Sequence, residues 1–219
     1  MRCAPPLQLV RVDLDRFGRP GCEISAEELR YRLGRRIDET LATFDRIMLL
    51  FRLEADRDAP PVRTTVDLSA RLDGLVEDME PQLEQADRCL ETRIESGVEV
   101  AGDGRLIDSL CLNLLENAAK YAPGNAVIRV SLDHTIHGFR LKIGNSGGGF
   151  PADVRASAFD QYARAGAAET ASGAGIGLGL VRRIAVRHGF SASITPSQTD
   201  AEVVIEGPTI PVSAARSAS

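Results

Sequence analysis

The chain has 219 residues, a formal net charge of −5 and an apolar share of 43%. This length can bury one sizeable core and leaves room for a second, smaller element. The negative charge argues against non-specific nucleic-acid binding, which relies on clustered lysine and arginine. No run of about 18 apolar residues occurs, so the sequence predicts no membrane span. The expected location is the cytoplasm, and the cytoplasmic piece of a larger membrane protein also fits.

Four cysteines are scattered through the sequence: Cys3, Cys22, Cys89 and Cys111. No two of them have the spacing of a metal-ligand pair. Cys111 falls in an apolar helical pattern. We interpret all four as reduced thiols.

The first 58 residues fall into two segments. Residues 1–24 combine a short alternating stretch with turn residues, which fits a small hairpin or a disordered N-terminal arm. A long helix is predicted over residues 25–58, because Ser25 and Glu28 form a capping box ahead of an apolar pattern with steps of three and four. The apolar positions are Leu29, Leu33, Ile37, Leu41, Phe44, Met48 and Phe51. This stripe is broad enough to contact more than one helix; we favour a homodimeric bundle, and docking on the chain's own domain is the alternative.

Pro60 and Pro61 indicate a stiff linker, and a second domain is predicted over residues 62–207. Its alternating strand and helix patterns predict an α+β fold, an α/β sandwich whose mixed, mostly antiparallel sheet is covered by three helices on one face. The predicted strands are 63–67, 88–94, 98–101, 125–132, 139–143, 190–195 and 201–206. The predicted helices are 68–86, one that begins after Asp103, and 176–188. Residues 134–138 are predicted to form a turn, and residues 208–219 a disordered tail.

The helix after Asp103 carries three polar residues on one face. Asn113 and Asn117 are four positions apart, and Lys120 follows Asn117 by three, so all three lie on the same side. Amide oxygens can hold a hard divalent ion, and lysine can neutralise phosphate oxygens. An ordinary solvated helix face fits this stretch equally well.

Two glycine clusters flank a segment that we expect to be mobile, 163–174. The second cluster, 173–179, leads directly into a helix, where backbone N–H groups and the positive helix end favour an anion. It has neither the lysine of a P-loop nor the crossover of a dinucleotide fold. The first cluster, 145–150, ends a predicted strand.

Four motifs in order resemble the ATP-binding catalytic domain of sensor histidine kinases, in the superfamily shared with Hsp90, gyrase B and MutL. Residues 113–121 resemble its asparagine box, and 145–150 its first glycine box. Residues 159–164 resemble its phenylalanine box, and 173–178 its second glycine box. The helix over 25–58 resembles the second helix of the family's dimerisation and histidine-phosphotransfer domain.

The resemblance implies ATP and Mg²⁺ as cofactors. It implies that Asn113 and Asn117 hold Mg²⁺ between the ATP phosphates, that residues 163–174 form a lid, and that Arg164 reaches the γ-phosphate. Phosphoryl transfer would then rest on positioning and charge neutralisation. The residues expected at the ATP site are Asn113, Asn117, Lys120, Tyr121, Asn145, Gly147, Gly149, Phe159, Tyr162, Arg164, Gly173, Gly175, Ile176, Gly177 and Leu178.

The sequence departs from the family pattern in two places. Asn145 stands where the family usually has an aspartate that accepts a hydrogen bond from the adenine amino group, so the bond is expected to be weaker by ~1 kcal/mol. The family's phosphoacceptor lies in a His-Glu-x-x-x-Pro segment, which this sequence lacks. Its three histidines are His134 and His137, around the predicted turn, and His188, at a predicted helix end.

These features favour a Mg·ATP-binding histidine kinase domain that phosphorylates a histidine outside its usual place in this chain. The alternative is a degenerate, non-catalytic module that docks a response regulator or another histidine kinase. A serine kinase of the anti-sigma type shares the fold, but the long helix over 25–58 argues against it.

Overall fold

The computed structural model describes residues 25–56, 64–150 and 176–210, together with Val12, Leu14, Asp15, Arg155, Ala158 and Phe159. Val12, Leu14 and Asp15 have helical backbone, and the rest of the predicted arm lies outside the described residues. The Pro60–Pro61 linker and the proposed lid, 163–174, also lie outside them. Among the described residues, no helix is both long and apolar enough to cross a membrane.

The described segments form four helices and seven strands. The helices are α1 (Ala26–Ala55), α2 (Leu68–Gln85), α3 (Gly104–Tyr121) and α4 (Gly177–His188). The strands are β1 (Thr64–Asp67), β2 (Cys89–Ile94), β3 (Glu99–Gly102), β4 (Val127–Thr135), β5 (Gly138–Ser146), β6 (Ser191–Ile194) and β7 (Asp200–Gly207).

Five of the strands form one mixed sheet in the order β2-β4-β5-β7-β6. The pairing of β2 with β4 is parallel, and the other three pairings are antiparallel. Alternate side chains of β5, including Phe139, Leu141 and Ile143, are buried in the core with apolar residues of the helices. The predicted α+β class and the mostly antiparallel sheet are confirmed.

A separate two-stranded ladder pairs β1 with β3, antiparallel. The predicted strands around Ser96 and Gly97 therefore do not pair with each other: one joins the large sheet and the other joins the ladder. Val66 and Val100 bury the ladder against the common core. The chain after β7 continues along it, since Ile210 N–H donates to Glu99 O at 2.8 Å. Residues 208–210 are thus ordered rather than part of a disordered tail, and residues 211–219 lie outside the described part.

Three helices begin at a capping side chain, and two of these caps, Ser25 and Asp103, are the predicted ones. Ser25, Asp67 and Asp103 are the N-caps of α1, α2 and α3, and each side chain accepts a bond from a backbone N–H of the first turn. Helix α4 differs, because its N-cap, Ile176, has no capping side chain. At its other end, Gly189 has φ 74°, a left-handed C-cap that favours glycine.

Strands β4 and β5 are longer than predicted. His134 pairs with Phe139 within the ladder, so it is a strand residue and the turn is shorter than 134–138. At the far end, Asn145 pairs with Ala201 and lies in β5 rather than in a loop. Gly144 permits this pairing, because a Cβ there would lie 2.4 Å from Ala201 O.

Helix α1 has two apolar faces. On one, Leu50 is buried in the core of the domain predicted over residues 62–207, and Ile47 and Leu53 pack beside it. Ion pairs from α1 to α3 and α4 join Arg46 to Glu116 and Glu54 to Arg183. The other face is exposed, and we call it the α1 stripe: Ile37, Leu41, Phe44, Met48 and Phe51. Docking on the chain's own domain, the alternative for this helix, therefore accounts for one face only.

Candidate functional site

The candidate site lies between one face of α3 and the start of α4. Asn113 is buried, with only 4% of its surface exposed, and Asn117 is half-buried one turn later. A Cβ placed on Gly177 would lie 3.2 Å from Asn117 Nδ2 and 3.4 Å from the Oδ1 atoms of both asparagines. The fold thus brings two carboxamides against the first residue of α4, about 60 positions away in sequence.

The orientation of Asn113 is set by its own helix. Its Nδ2 donates to Ser109 O at 2.7 Å, one turn earlier, so its Oδ1 is left to face Gly177. Ser109 was not singled out from the sequence, although its position four residues before Asn113 is the signal that could have identified it. An oriented, buried amide oxygen is suited to a cation or to a hydrogen-bond donor.

The start of α4 supplies the complementary charge. Without a capping side chain, its first backbone N–H groups have no side-chain partner of their own helix, and they carry the positive end of the helix dipole. Gly177 leaves the approach to these groups narrow but open. An anion bound here would have a divalent ion's potential ligands, Asn113 and Asn117, directly beside it.

Lys120 and Tyr121 end α3 on its exposed side. Lys120 Nζ lies 5.6 Å from the centroid of the Tyr121 ring, within the range of a cation–π contact. Tyr121 is 46% exposed. Both side chains are thus exposed, unlike Asn113.

Asn145, which is also expected at the site, is a second buried carboxamide and is 4% exposed. Its Nδ2 donates to Ser146 O at 3.0 Å, so its Oδ1 is left as the acceptor. Ser146 is a further residue that the sequence did not indicate: its Oγ also accepts from Val127 N at 2.9 Å, which ties the end of β5 to β4. The neutral Asn145 therefore presents the same kind of atom, an oxygen, as the usual aspartate.

The first glycine cluster has a packing requirement of its own. Gly147 has φ 95°, and a Cβ there would lie 2.4 Å from Pro123 Cγ, just after α3. A Cβ on Gly149 would lie 1.8 Å from Ser197 O in the loop between β6 and β7. The cluster is thus packed closely between the end of α3 and that loop. Packing alone therefore requires glycine at these two positions, whether or not a ligand binds.

The remaining expected residues are only partly described. Ile176 is buried and Leu178 packs against the core, at the start of α4. Phe159 also packs against the core. Tyr162, Arg164, Gly173 and Gly175 lie outside the described residues. Among those that are described, no group of three or more His, Cys, Asp or Glu side chains could hold a metal ion.

The histidines have no place in this site. His134 lies in β4, His137 in the following turn, and His188 at the end of α4, far from Gly177 along the same helix. Cys111 is not part of this site either. Its burial in α3 raises the pKa of the thiol to about 12 and keeps the thiol neutral.

Comparison with known proteins identifies the family of this domain. Residues 102–210, about half of the chain, match the family described as histidine kinase-, DNA gyrase B- and HSP90-like ATPase. A signal transduction histidine-protein kinase/phosphatase, MprB of Mycolicibacterium vanbaalenii, is 32% identical over 118 residues, which cover 50% of this chain and 24% of that protein. The chain thus spans about a quarter of the length of such curated relatives.

Two solved structures share the fold. The histidine kinase AdeS of Acinetobacter baumannii has a TM-score of 0.73 at 18% identity, covering 94% of this chain and 96% of that one. The histidine kinase ThkA, solved in complex with the response regulator protein TrrA, has a TM-score of 0.67 at 18% identity, covering 94% and 58%. Through residues 102–210 the chain therefore belongs to the family of histidine kinase-, DNA gyrase B- and HSP90-like ATPases, as an ATP-binding catalytic domain of the histidine kinase type.

Proposed function

We propose that this domain binds ATP together with Mg²⁺ and takes part in phosphoryl transfer to a histidine of a two-component system. The observation that supports it best is the meeting of Asn113 and Asn117 with the uncapped start of α4 at Gly177. Amide oxygens that face a helix N-terminus suit a Mg²⁺ ion bridged to phosphates, because each polar group meets an opposite charge. When bound, Mg²⁺ would neutralise the phosphate charge during transfer.

Calorimetric titration with ATP, with and without Mg²⁺, tests this proposal. We expect Mg²⁺-dependent binding with a Kd of tens to hundreds of micromolar, roughly −5 to −6 kcal/mol. Asn117→Ala should weaken it at least ~tenfold, because a ligand to the metal is lost. The matched control is Gln82→Ala, which removes a carboxamide from the exposed face of α2. Normal ATP binding by Asn117→Ala would contradict the assignment.

The phosphoacceptor is proposed to lie on another chain or on a segment that this sequence does not contain. None of the three histidines lies on α1, and both ring nitrogens of His188 are already engaged within the catalytic domain. The proposed partner is therefore another histidine kinase chain or, by analogy with the ThkA complex, a response regulator. Acid-labile phosphohistidine on an added histidine kinase chain would support this, whereas acid-stable phosphoserine would indicate the anti-sigma type of kinase.

A non-catalytic docking module is the second candidate. Asn145 in place of aspartate and the histidine positions favour it. ATP binding without phosphoryl transfer to any added partner is its expected signature. We also propose that α1 forms a homodimer through the α1 stripe, because the side chains of that face are apolar and exposed.

A further inference from the structure

The ends of α1 and α4 meet at a cavity of about 240 Å³, at the opposite end of α4 from Gly177. Three leucines and five titratable residues line it, and the titratable ones are Arg52, Asp56, Asp103, Arg187 and His188. Arg187 also closes the end of α1, because its Nη1 donates to Asp56 O at 2.8 Å. The cavity is therefore the junction between α1 and the nucleotide-binding domain.

His188 is held at this junction by both of its ring nitrogens. Asp103 N–H donates to Nε2 at 3.0 Å, and Nδ1 lies 2.7 Å from Ile184 O. Because a backbone N–H can only donate, Nε2 must be unprotonated, and the single ring proton lies on Nδ1 and is donated to Ile184 O. The ring is also stacked on Phe190, with centroids 5.5 Å apart. The contacts thus require a neutral imidazole in one tautomer.

The residue that His188 holds is the start of α3. Asp103 is the N-cap of that helix, and its Oδ1 accepts from Arg105 N at 2.9 Å and Leu106 N at 3.4 Å. Leu106 in turn lines the cavity against α1. A change at His188 therefore affects the N-cap of α3 and the surface on which α1 docks.

Protonation of His188 would turn the attractive contact between its Nε2 and the Asp103 N–H into a repulsive one. A proton on Nε2 would face the Asp103 N–H, so that bond would be lost and two donors would oppose each other. The neighbouring Arg187 opposes the added charge, and the carboxylate of Asp103 attracts it. Arg52 and Asp56 also line the cavity, one with each sign of charge. No other charged residue lines the cavity among the residues described. The protonated ring is thus drawn out of its contact and toward the carboxylates in the cavity.

We propose that His188 is a proton-sensitive clasp: neutral, it joins the start of α3 to the end of α4 and preserves the docking surface of α1; protonated, it opens that junction and releases α1. Burial lowers the pKa of His188, which is the direction expected of a group bound in its neutral form. Docking of α1 is accordingly complete at pH values above the His188 pKa of the released state. It is lost as the pH falls from that value toward the lower His188 pKa of the docked state.

NMR titration of the full chain, from about pH 8 to about pH 5, tests the clasp. The three histidine rings are followed together with the backbone amides of residues 46–56. We expect the amides of α1 to move to those of a released helix along a one-proton curve whose midpoint coincides with that of the His188 ring. His188→Gln, whose amide oxygen can accept from Asp103 N–H but does not titrate, should keep α1 docked throughout.

His134→Gln is the matched control, at an exposed histidine on β4, and it should leave the wild-type curve unchanged. The proposal is overturned if the amides of α1 titrate with a different midpoint from the His188 ring, if α1 stays docked while the ring protonates, or if His188→Gln retains the transition. If His188→Gln fails to fold, the wild-type chain alone tests the proposal, through the agreement or disagreement between the midpoint of the His188 ring and that of the α1 amides.

Discussion

Gly177 shows how closely the two halves of the site approach. A Cβ added at Gly177 would lie 3.2 Å from Asn117 Nδ2, so the gap has room for a backbone but little room for a side chain. The sequence marked this glycine for a ligand, and the structure adds that the facing atoms are the two asparagines of α3. Which atom of the Asn113 carboxamide faces Gly177 depends on Ser109, because the backbone oxygen of Ser109 accepts a hydrogen bond from Asn113 Nδ2.

We expect Gly177→Ala to fold but to bind Mg·ATP at least ~tenfold more weakly, because the methyl group occupies the space between the asparagines and the α4 N–H groups. Calorimetry measures the affinity, and thermal denaturation reports the fold. The control is Gly74→Ala in α2, where nothing lies within 4 Å of an added Cβ. That change should raise stability by ~0.5–1 kcal/mol and leave binding unchanged. Unaltered affinity in Gly177→Ala would place the phosphates elsewhere.

Asn145→Asp should strengthen ATP binding by about 1 kcal/mol, roughly fivefold, because a carboxylate is the stronger acceptor. The same change should lower stability without nucleotide, since Ser146 O loses its Nδ2 donor and a buried charge takes its place. Calorimetry and thermal denaturation separate the two effects. Asn125→Asp makes the same chemical change at an exposed turn and should alter neither. Weaker ATP binding by Asn145→Asp would mean that Asn145 does not face the adenine amino group.

Among the elements, α1 is the one whose role needed the structure. Its docked face joins the core through Leu50, and its ion pairs, Arg46–Glu116 and Glu54–Arg183, are partly exposed. Ion pairs of this kind contribute ~0–1 kcal/mol each, whereas a buried leucine contributes several. Apolar packing at Leu50 therefore contributes more to the docking of α1 than these two ion pairs do.

Leu50→Ala should weaken the docking of α1 by about 2–4 kcal/mol, because it leaves a cavity under the helix. Amide hydrogen exchange checks this: residues 46–55 should exchange faster, while α2 and the sheet stay protected. Leu41→Ala, at an exposed position of the same helix, is the control in a dilute sample. Equal protection of α1 in both variants would show that docking does not depend on Leu50.

At the scale of the whole molecule, the α1 stripe lies on the side of the helix opposite the docked face, as helical periodicity requires. The molecule therefore presents a row of large apolar side chains away from its own domain. A row of this length along a helix is typical of a surface that packs against another helix.

Phe44→Glu should weaken self-association at least ~tenfold, because a charge would enter the apolar helix–helix contact. Sedimentation at several concentrations measures the dimer fraction, and circular dichroism checks that the fold is kept. Tyr31→Glu is the control, since Tyr31 is exposed on the same helix but off the stripe. A wild-type chain that stays monomeric at high concentration would contradict the homodimer.

The sequence by itself determined the features that depend on local spacing. Capping residues at Ser25 and Asp103 indicated two helix starts, and alternation indicated the strands. The order of the motifs identified the family, as the match over residues 102–210 confirmed. The common face of Asn113 and Asn117 followed from a helical turn.

Only the tertiary structure decided which surfaces meet. The contact of both asparagines with Gly177, the division of α1 into a docked and an exposed face, and the bond between Asp103 and His188 join residues that are far apart in the chain. Spacing fixes which side chains share a face of one element, but not which face is buried against which neighbour. That choice is made by packing the whole core at once, because each element buries its apolar surface only against the others.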